Sequence, residues 1–300
     1  MKVLGLLAGV FALNVGSLAG IQAHAASADV YPAQAIRAIV PFPAGGINDT
    51  VGRLVLNKLA TTLGAEVIID NRPGAGGMIG TKIAVDGTAD GYTVLLGAAS
   101  TISVAPNLYK EVKYRPEKDL VAVGGIASVA SVLVVGANSP LKSLADVLAT
   151  AKSKPGSLNY GSAGAGTSHH VQTELLALQS GVKLTHIPYK GGAPAMTDLI
   201  GNQIQLLLEP LPTALPHIKA ERVKALGITV RERSPLLPNV PTFIEAGVKD
   251  YSASTWFGLF VPVGTPGTIV QKLSQALLTT LRDPALQADL KARGIEPMPM

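Results

Sequence analysis

The chain has 300 residues, no cysteine and a formal net charge of +5. The absence of cysteine excludes a disulfide scaffold, a lipoprotein and thiol chemistry. Aromatic residues make up only 4% of the chain, and the basic residues are dispersed, which argues against a nucleic-acid-binding surface.

The first residues have the pattern of a secretory signal peptide. Lys2 precedes an apolar run from Val3 to Leu13, and Ala23-His24-Ala25 offers small residues at the two positions that a signal peptidase reads. Cleavage is expected after Ala25, which leaves about 275 residues of exported protein. No later run reaches the ~18 apolar residues of a membrane span.

The first strand, loop and helix of the exported chain predict an anion site. The apolar run Ile36 to Val40 indicates a buried strand that ends at two prolines. Gly45 and Gly46 leave the backbone of the following loop without side-chain cover, and such a loop is called a bare loop below. Asp49 is expected to N-cap the helix that continues to Leu63. Unpaired N–H groups at this helix start suit a carboxylate or a phosphate, although an ordinary strand-to-helix turn explains the same pattern.

A second unit repeats this order. Leu158 to Tyr160 indicates a short strand, Gly161 to Ser168 a second bare loop, and His169 to Gln179 a helix. Strands and helices alternate along the chain, which predicts an α/β fold with a mostly parallel sheet in each of two lobes and a cleft between them. Leu273 to Leu281 predicts a terminal helix that packs back on the first lobe.

The chain lacks the motifs of most enzymes. No G-x-S-x-G elbow occurs, and Gly161 to Thr167 lacks the lysine of a P-loop. His169 and His170 point to different helix faces, so they do not form a metal site, and no cofactor is expected. Glu209 follows a strand and is expected to face the cleft, where it meets ligand or water or caps Thr213.

Six motifs in order resemble one family. The chain is similar to the Bug-type solute receptors of tripartite tricarboxylate transporters over essentially all of its exported part. The motifs are V-P-F-P-x-G-G-x-x-D-x-x-x-R (residues 40–53), N-R-P-G-A-G-G (71–77), D-G-Y-T (90–93), N-Y-G-S-A-G-x-G-T-S-x-H (159–170), P-Y-K-G-x-A-P-A-M-T-D-L (188–199) and L-P-N-V-P-T (237–242).

The resemblance implies a two-lobed periplasmic-binding-protein fold of the type II kind. Residues 26–127 and 254–300 would form lobe 1, and residues 128–253 would form lobe 2. It implies a periplasmic, monomeric receptor that passes a small carboxylate to an integral-membrane permease, without metal, cofactor or nucleic acid.

The resemblance also implies where the ligand binds. One carboxylate would be held by the two bare loops, mainly through backbone amides and ordered waters, and the far end of the ligand would meet Asn48, Glu209 and the Ser100-Thr101 turn. The residues implied to contact ligand are Pro43, Ala44, Gly45, Gly46, Asn48, Asp49, Ser100, Thr101, Ala163, Gly164, Gly166, Thr167, Ser168, His169 and Glu209. Ile47 and Asn48 stand where many relatives carry a small residue or Pro and then Thr or Ser, so the pocket mouth is expected to differ. Glu209 stands where Asp is common, so the far-end contact is expected to differ.

Two other functions remain open at this point. A sensor accessory protein that presents bound ligand to a membrane kinase would have the same sequence features. An exported hydrolase would use Ser168 as nucleophile with His169 or His170 as base, but adjacent chain positions rarely place a base on its nucleophile.

Overall fold

The computed structural model of the chain describes residues 31–299, so the predicted signal peptide lies outside the described residues. The strands are β1 Ile36–Val40, β2 Val67–Asn71, β3 Thr93–Ala98, β4 Leu120–Gly136, β5 Asn159–Ser162, β6 Thr185–Pro188, β7 Leu206–Pro210, β8 Val223–Ile228, β9 Ser254–Pro262 and β10 Ile295–Pro297.

The helices alternate with these strands along most of the chain. They are α1 Ile47–Leu63, α2 Met78–Val85, α3 Ala105–Leu108, α4 Pro116–Asp119, α5 Leu144–Ser153, α6 Ser168–Ser180, α7 Gly192–Ile200, α8 Leu211–Lys219, α9 Gly267–Arg282 and α10 Pro284–Ala292. A short 3-10 helix covers Ala75–Gly77, and a π-helical turn covers Ser100–Val104. Within residues 31–299, no helix is both long enough and apolar enough to cross a membrane.

The strands form two half-sheets that share β4. The first half-sheet has the order β2-β1-β3-β9-β4-β10, and the second has the order β6-β5-β7-β4-β8. Strand β4 pairs with β9 as far as Ala130 and with β7 from Ser131 onward. The half-sheets, with the helices that cover them, are called lobe 1 and lobe 2 below.

The α/β class is confirmed, but the sheet is mixed and not mostly parallel. Strands β1, β2 and β3 are parallel, as are β5, β6 and β7. Strands β4 and β9 run antiparallel to their neighbours, because each carries the chain from one lobe to the other. Strand β4 has 17 residues and pairs in both lobes.

Each lobe has its own apolar core. In lobe 1, helices α1 and α9 cover one face of the half-sheet, and their Leu59, Leu273 and Leu277 belong to one buried cluster. This confirms that the terminal helix packs back on the first lobe. In lobe 2, α5 and α6 cover one face and α7 and α8 the other, with Leu133 and Val134 of β4 facing opposite sides.

The predicted lobe boundaries stay a prediction. The sequence placed the first boundary between Ala127 and Ser128, and the partner of β4 changes three residues later, between Ala130 and Ser131. The second boundary, before Ser254, coincides with the first residue of β9.

Candidate functional site

A cavity lies in the cleft between the lobes. The volume that the centres of water-sized molecules can reach is about 60 Å³, which holds several waters or a small organic molecule. A wider groove of about 650 Å³ adjoins it and shares Phe42, Pro43, Ala163 and Lys190 with it. The cavity is lined by Phe42, Pro43, Ala44, Gly46, Ile47, Asn48, Ala98, Ser100, Ala163, Thr167, Ser168, His169, Lys190, Gly191, Gly192, Ala193, Pro194, Glu209, Thr255 and Phe257.

Most of these residues follow the carboxyl ends of the parallel strands. The segments after β1, β3, β5 and β6, and the end of β7, supply lining residues. In open α/β sheets this edge is where ligands bind, because the strands deliver loops there and helices begin there. The sheet topology therefore brings loops that are distant in the sequence to one point.

Three helix N-termini meet at the cavity. Helices α1, α6 and α7 begin there, and in none of them does the N-cap side chain accept a hydrogen bond from the first turn. The first N–H groups of a helix have no intrahelical partner, and the helix dipole makes this end favourable for an anion. The residues around these three starts line the cavity: Gly46, Ile47, Thr167, Ser168, Gly191 and Gly192.

The sequence predicted that Asp49 would N-cap α1, but the structure shows that it does not. Gly46 is the N-cap, and Asp49 lies in the first turn, where its Oδ2 accepts hydrogen bonds from Gly45 N and from Arg53 Nε, both at 3.0 Å. Its Oδ1 accepts a hydrogen bond from Asn71 Nδ2 at 3.1 Å. Asp49 therefore holds the first loop in place on the side away from the cavity, which it does not line.

The contacts of Asp49 also determine its charge state. Burial by itself raises the pKa of the carboxyl, but the hydrogen bonds from Arg53, Gly45 and Asn71 outweigh burial and lower it. Asp49 is therefore held as an anion at neutral pH. Gly45 has a φ of +80°, a region that favours glycine, so the backbone can turn its N–H toward this carboxylate.

The second loop is also held by its own hydrogen bonds. The Thr167 hydroxyl donates to the Gly164 carbonyl at 2.6 Å, so its hydrogen is not available to a ligand. The Ser168 and Ser100 hydroxyls have no hydrogen-bond partner within residues 31–299, and both side chains belong to residues that line the cavity. Thr255 also lines the cavity and its hydroxyl likewise has no partner in that range, so Ser100, Ser168 and Thr255 are the hydroxyls available to a bound molecule.

His169 and Glu209 form a buried pair in the wall of the cavity. His169 Nε2 lies 3.0 Å from Glu209 Oε2, and both side chains are about 5% exposed. Glu209 Oε1 also accepts a hydrogen bond from the Thr213 hydroxyl at 2.5 Å, so the predicted Glu209–Thr213 contact is confirmed. Sequence reasoning did not predict the contact with His169, because the two residues are 40 positions apart.

Lys190 is a cavity residue that sequence reasoning missed. Its exposed side chain lies at the rim shared by the cavity and the groove, and it makes no ion pair or hydrogen bond with the residues from 31 to 299. An unpaired cation at the rim attracts anions. The signal was present in the Tyr189-Lys190-Gly191-Gly192 segment, which precedes helix α7 just as the two predicted loops precede α1 and α6.

The residues that were predicted to contact ligand fall into two groups. Those that line the cavity are Pro43, Ala44, Gly46, Asn48, Ser100, Ala163, Thr167, Ser168, His169 and Glu209. Those that lie behind or beside it are Gly45, Asp49, Thr101, Gly164 and Gly166. A direct ligand contact by any of them stays a prediction.

A hydrogen bond across the cleft joins the two lobes. The Tyr109 hydroxyl, after α3, donates to the Ala165 carbonyl of the second loop at 2.9 Å. The neighbouring Gly166 has a φ of +76°, and a Cβ there would lie 3.0 Å from Leu108 Cδ2. The second loop is thus packed against lobe 1 as well as against its own lobe.

A histidine cluster supports the second loop from below. Gly166 N donates to His170 Nδ1 at 3.2 Å, and the His170 and His186 rings lie 4.3 Å apart. Ser162 Oγ lies 2.6 Å from His186 Nε2 and accepts a hydrogen bond from Gly164 N. Burial lowers the pKa of both His170 and His186, and the nearby Glu174 only partly opposes this.

The geometry gives no support to a serine hydrolase. Ser168 makes no hydrogen bond with His169 or His170, because His169 contacts Glu209 and His170 accepts from the loop. The serine that does contact a histidine, Ser162, is fully buried beneath the loop and cannot reach a substrate. Within residues 31–299, no group of three or more histidine, aspartate or glutamate residues could hold a metal ion.

The chain is similar to known proteins over nearly its whole length. A family profile described as "Tripartite tricarboxylate transporter family receptor" matches residues 51–300. BugT of Bordetella pertussis is 36% identical over 291 residues, which cover 97% of this chain and 88% of BugT.

Two solved structures that contain a ligand have the same fold. R. palustris Rpa4515 with adipate is 34% identical to this chain and has a TM-score of 0.86. The alignment covers 89% of each chain. MatC from Rhodopseudomonas palustris with bound malate is 32% identical to this chain and has a TM-score of 0.84. The alignment covers 89% of this chain and 90% of MatC.

Replacing Asp49 with asparagine should destabilise the protein by about 1–3 kcal/mol, because the amide cannot satisfy all of the donors around a buried carboxylate. Urea denaturation at neutral pH measures this loss. Asp289→Asn is the matched control, since Asp289 also pairs with an arginine four residues later but on the surface, and should cost no more than about 0.5 kcal/mol. Equal losses in the two variants would contradict the supporting role of Asp49.

Replacing His170 with asparagine should reduce the pH dependence of stability. The folded protein resists protonating His170, whereas the unfolded chain takes up a proton near the ordinary pKa of about 6.5. This residue therefore costs no stability above that pH and destabilises the protein as the pH falls below it. Asparagine can accept from Gly166 N without titrating.

The measurement is the free energy of unfolding of both proteins between about pH 7.5 and pH 5.5. The variant should lose less stability over this range than the wild type, whatever its stability at pH 7.5. An identical slope for both would mean that His170 titrates normally in the folded state. Besides burial, the neighbouring His170 lowers the pKa of His186, so its removal also lets His186 titrate more normally, which reduces the pH dependence further. His217, whose pKa is also lowered, is present in both proteins and cancels in the difference.

Proposed function

Because the chain belongs to the family of tripartite tricarboxylate transporter receptors, we propose that it captures a small organic carboxylate between its two lobes. The observation that carries this proposal is the meeting of three uncapped helix N-termini at one cavity in the cleft. Such N-termini bind anions through main-chain N–H groups and need no buried cation.

The cavity has further groups that suit a carboxylate. The free hydroxyls of Ser100 and Ser168 are donors, and charge-assisted hydrogen bonds to a carboxylate are stronger than those between neutral groups. Lys190 at the rim adds attraction for an incoming anion. The volume of about 60 Å³ suits an acid of a few carbon atoms, and the adjoining groove gives room for a longer chain.

The ligands of two neighbours support the same class. Rpa4515 is described with adipate and MatC with malate, and both are small dicarboxylates held by proteins of the same fold. For this chain we infer the class of small organic acid, which includes mono-, di- and tricarboxylates, aromatic acids and acidic amino acids. A narrower choice within this class needs observations on the cavity itself.

Ligand binding would act by closing the cleft. A carboxylate that contacts α1 of lobe 1 and α6 and α7 of lobe 2 favours the arrangement in which the lobes are close, because only that arrangement satisfies all three helix starts. The Tyr109–Ala165 hydrogen bond would add to the same arrangement. The ligand thus shifts an open–closed equilibrium by its preference for the closed form.

The location and partner belong to the proposal as well. The signal peptide predicted over residues 1–25 would direct a monomeric receptor to the periplasm, where the closed form would deliver its ligand to the membrane permease of a tripartite tricarboxylate transporter. The family description supports this partner. Uptake of the ligand that depends on both the receptor and the permease would distinguish transport from presentation to a sensor kinase.

Titration of residues 26–300 with small carboxylic acids tests the proposed function. At least one acid should bind with measurable heat and raise the unfolding midpoint, since ligand at 100 times its Kd adds about 2.7 kcal/mol of stability. The panel should cover plain, hydroxylated, amino-substituted and aromatic acids together with di- and tricarboxylates. A sharp unfolding transition that no acid shifts would refute a carboxylate receptor.

Replacing Lys190 with glutamine should weaken binding of the acid found in this way by roughly fivefold to tenfold, because an attractive charge at the rim is lost. The loss should shrink at high salt, where surface charges are screened. Lys183→Gln is the control, as this lysine is exposed in the same lobe and does not line the cavity. Equal affinities for the two variants at low salt would show that Lys190 does not act on the ligand.

A further inference from the structure

Two buried polar atoms of cavity residues have no hydrogen-bond partner. They are Asn48 Oδ1 and His169 Nδ1, and their residues are 7% and 4% exposed. Buried polar atoms in proteins are nearly always paired, so an unpaired atom in a binding cavity indicates a missing ligand or water. These are the two cavity residues with such an atom in the part of the chain that the structure describes.

Asn48 Oδ1 is a hydrogen-bond acceptor, and His169 Nδ1 is one in the tautomer that carries its hydrogen on Nε2. The amide oxygen of Asn48 can only accept. His169 Nε2 contacts the carboxylate of Glu209, which can accept from it but not donate when ionised, so the hydrogen of a neutral ring lies on Nε2. His169 Nδ1 is then left with a free lone pair.

Glu209 adds a third acceptor to the same cavity. Its two oxygens have about four acceptor sites, and the contacts with His169 and Thr213 occupy two of them. Gly192 leaves the carboxylate uncovered, because a Cβ at this position would lie 3.1 Å from Glu209 Oε1. The cavity therefore has a buried acceptor group, consisting of Asn48, His169 and Glu209, in addition to the donors of the three helix starts.

This acceptor group discriminates between acids. A second carboxylate placed against Glu209 would lie beside its negative charge, and Asn48 Oδ1 and His169 Nδ1 would donate nothing to it, so its desolvation would be poorly compensated. A hydroxyl or an ammonium would donate to these atoms, and an ammonium would also be attracted by Glu209.

We propose that the acid recognised by this cavity carries a hydroxyl or ammonium group in addition to its carboxylate, and that Asn48, His169 and Glu209 select this group. The inference rests on the proposed function, since it assigns the second group of a ligand whose carboxylate binds at the helix starts. The substrate class is thus hydroxy acids and amino acids, and simple dicarboxylates are poor ligands.

The first experiment compares matched acids on the wild-type protein. Each parent acid of three to six carbons is titrated in four forms: unsubstituted, hydroxylated, amino-substituted and as the dicarboxylate of the same carbon number, with the hydroxyl or amino group placed at each carbon in turn. The best hydroxy or amino acid should bind at least tenfold more tightly than both the unsubstituted acid and the dicarboxylate of its length.

The outcomes separate this inference from the proposed function. A dicarboxylate or unsubstituted acid that binds as tightly as the best hydroxy or amino acid overturns the inference and leaves a carboxylate receptor in place. Binding by no acid at all overturns the proposed function and the inference with it.

The second experiment changes the acceptor group. Glu209→Gln places an amide at the end of the side chain, so the affinity for the preferred ligand relative to the matched dicarboxylate should fall at least tenfold. Glu66→Gln removes one negative charge from an exposed position outside the cavity and should leave this ratio unchanged. A ratio that is the same in wild type and Glu209→Gln would contradict the role of Glu209, and the wild-type comparison decides the inference if this variant does not fold.

Discussion

Main-chain N–H groups at a helix start must find a partner, and this requirement organises the cleft. Three helices begin at the same cavity without side-chain caps, so their first-turn donors depend on water or ligand. The surrounding structure keeps these donors in place. Asp49 holds the first loop through Gly45, and His170 and Ser162 hold the second loop through Gly166 and Gly164. Each of these contacts uses an N–H that precedes the N-cap residue and is not one of the first-turn donors.

Within residues 31–299, no buried lysine or arginine lines the cavity. Lys190 is exposed at the rim, and the buried charge, Glu209, is already contacted by His169 and Thr213. A fully buried lysine or arginine facing the ligand would be costly whenever the cavity was empty. Helix starts avoid this cost because water can satisfy them in the open state.

Local periodicity in the sequence predicted the elements next to the cleft well. The strand Ile36–Val40, the two glycine-rich loops and the helices after them are all present. The capping role of Asp49 was predicted wrongly, because a short acidic side chain in the first turn can reach back to the loop as well as cap from outside. The start of α7 was not assigned to the site, because Lys190 precedes its glycines and the segment does not resemble the other two glycine-rich loops.

Long-range features could not be predicted from local patterns. The pairing of β4 in both lobes depends on which strands lie beside it, and its register shifts around Gly124 and Gly125 interrupt the apolar alternation. The antiparallel return of β9 likewise depends on the order of strands in the sheet. The His169–Glu209 contact joins two lobe 2 elements whose closeness follows only from the complete topology.

The use of three helix starts has a consequence for how such a receptor can evolve. A point substitution can delete a side chain, but it leaves the main-chain N–H in place unless proline is introduced. On the proposed function, the anchor for the carboxylate would therefore tolerate mutation, whereas Asn48, Lys190 and Glu209 can each be changed by one substitution. A duplicated gene could acquire a new nutrient by altering these three positions while its product still held every ligand by the same end.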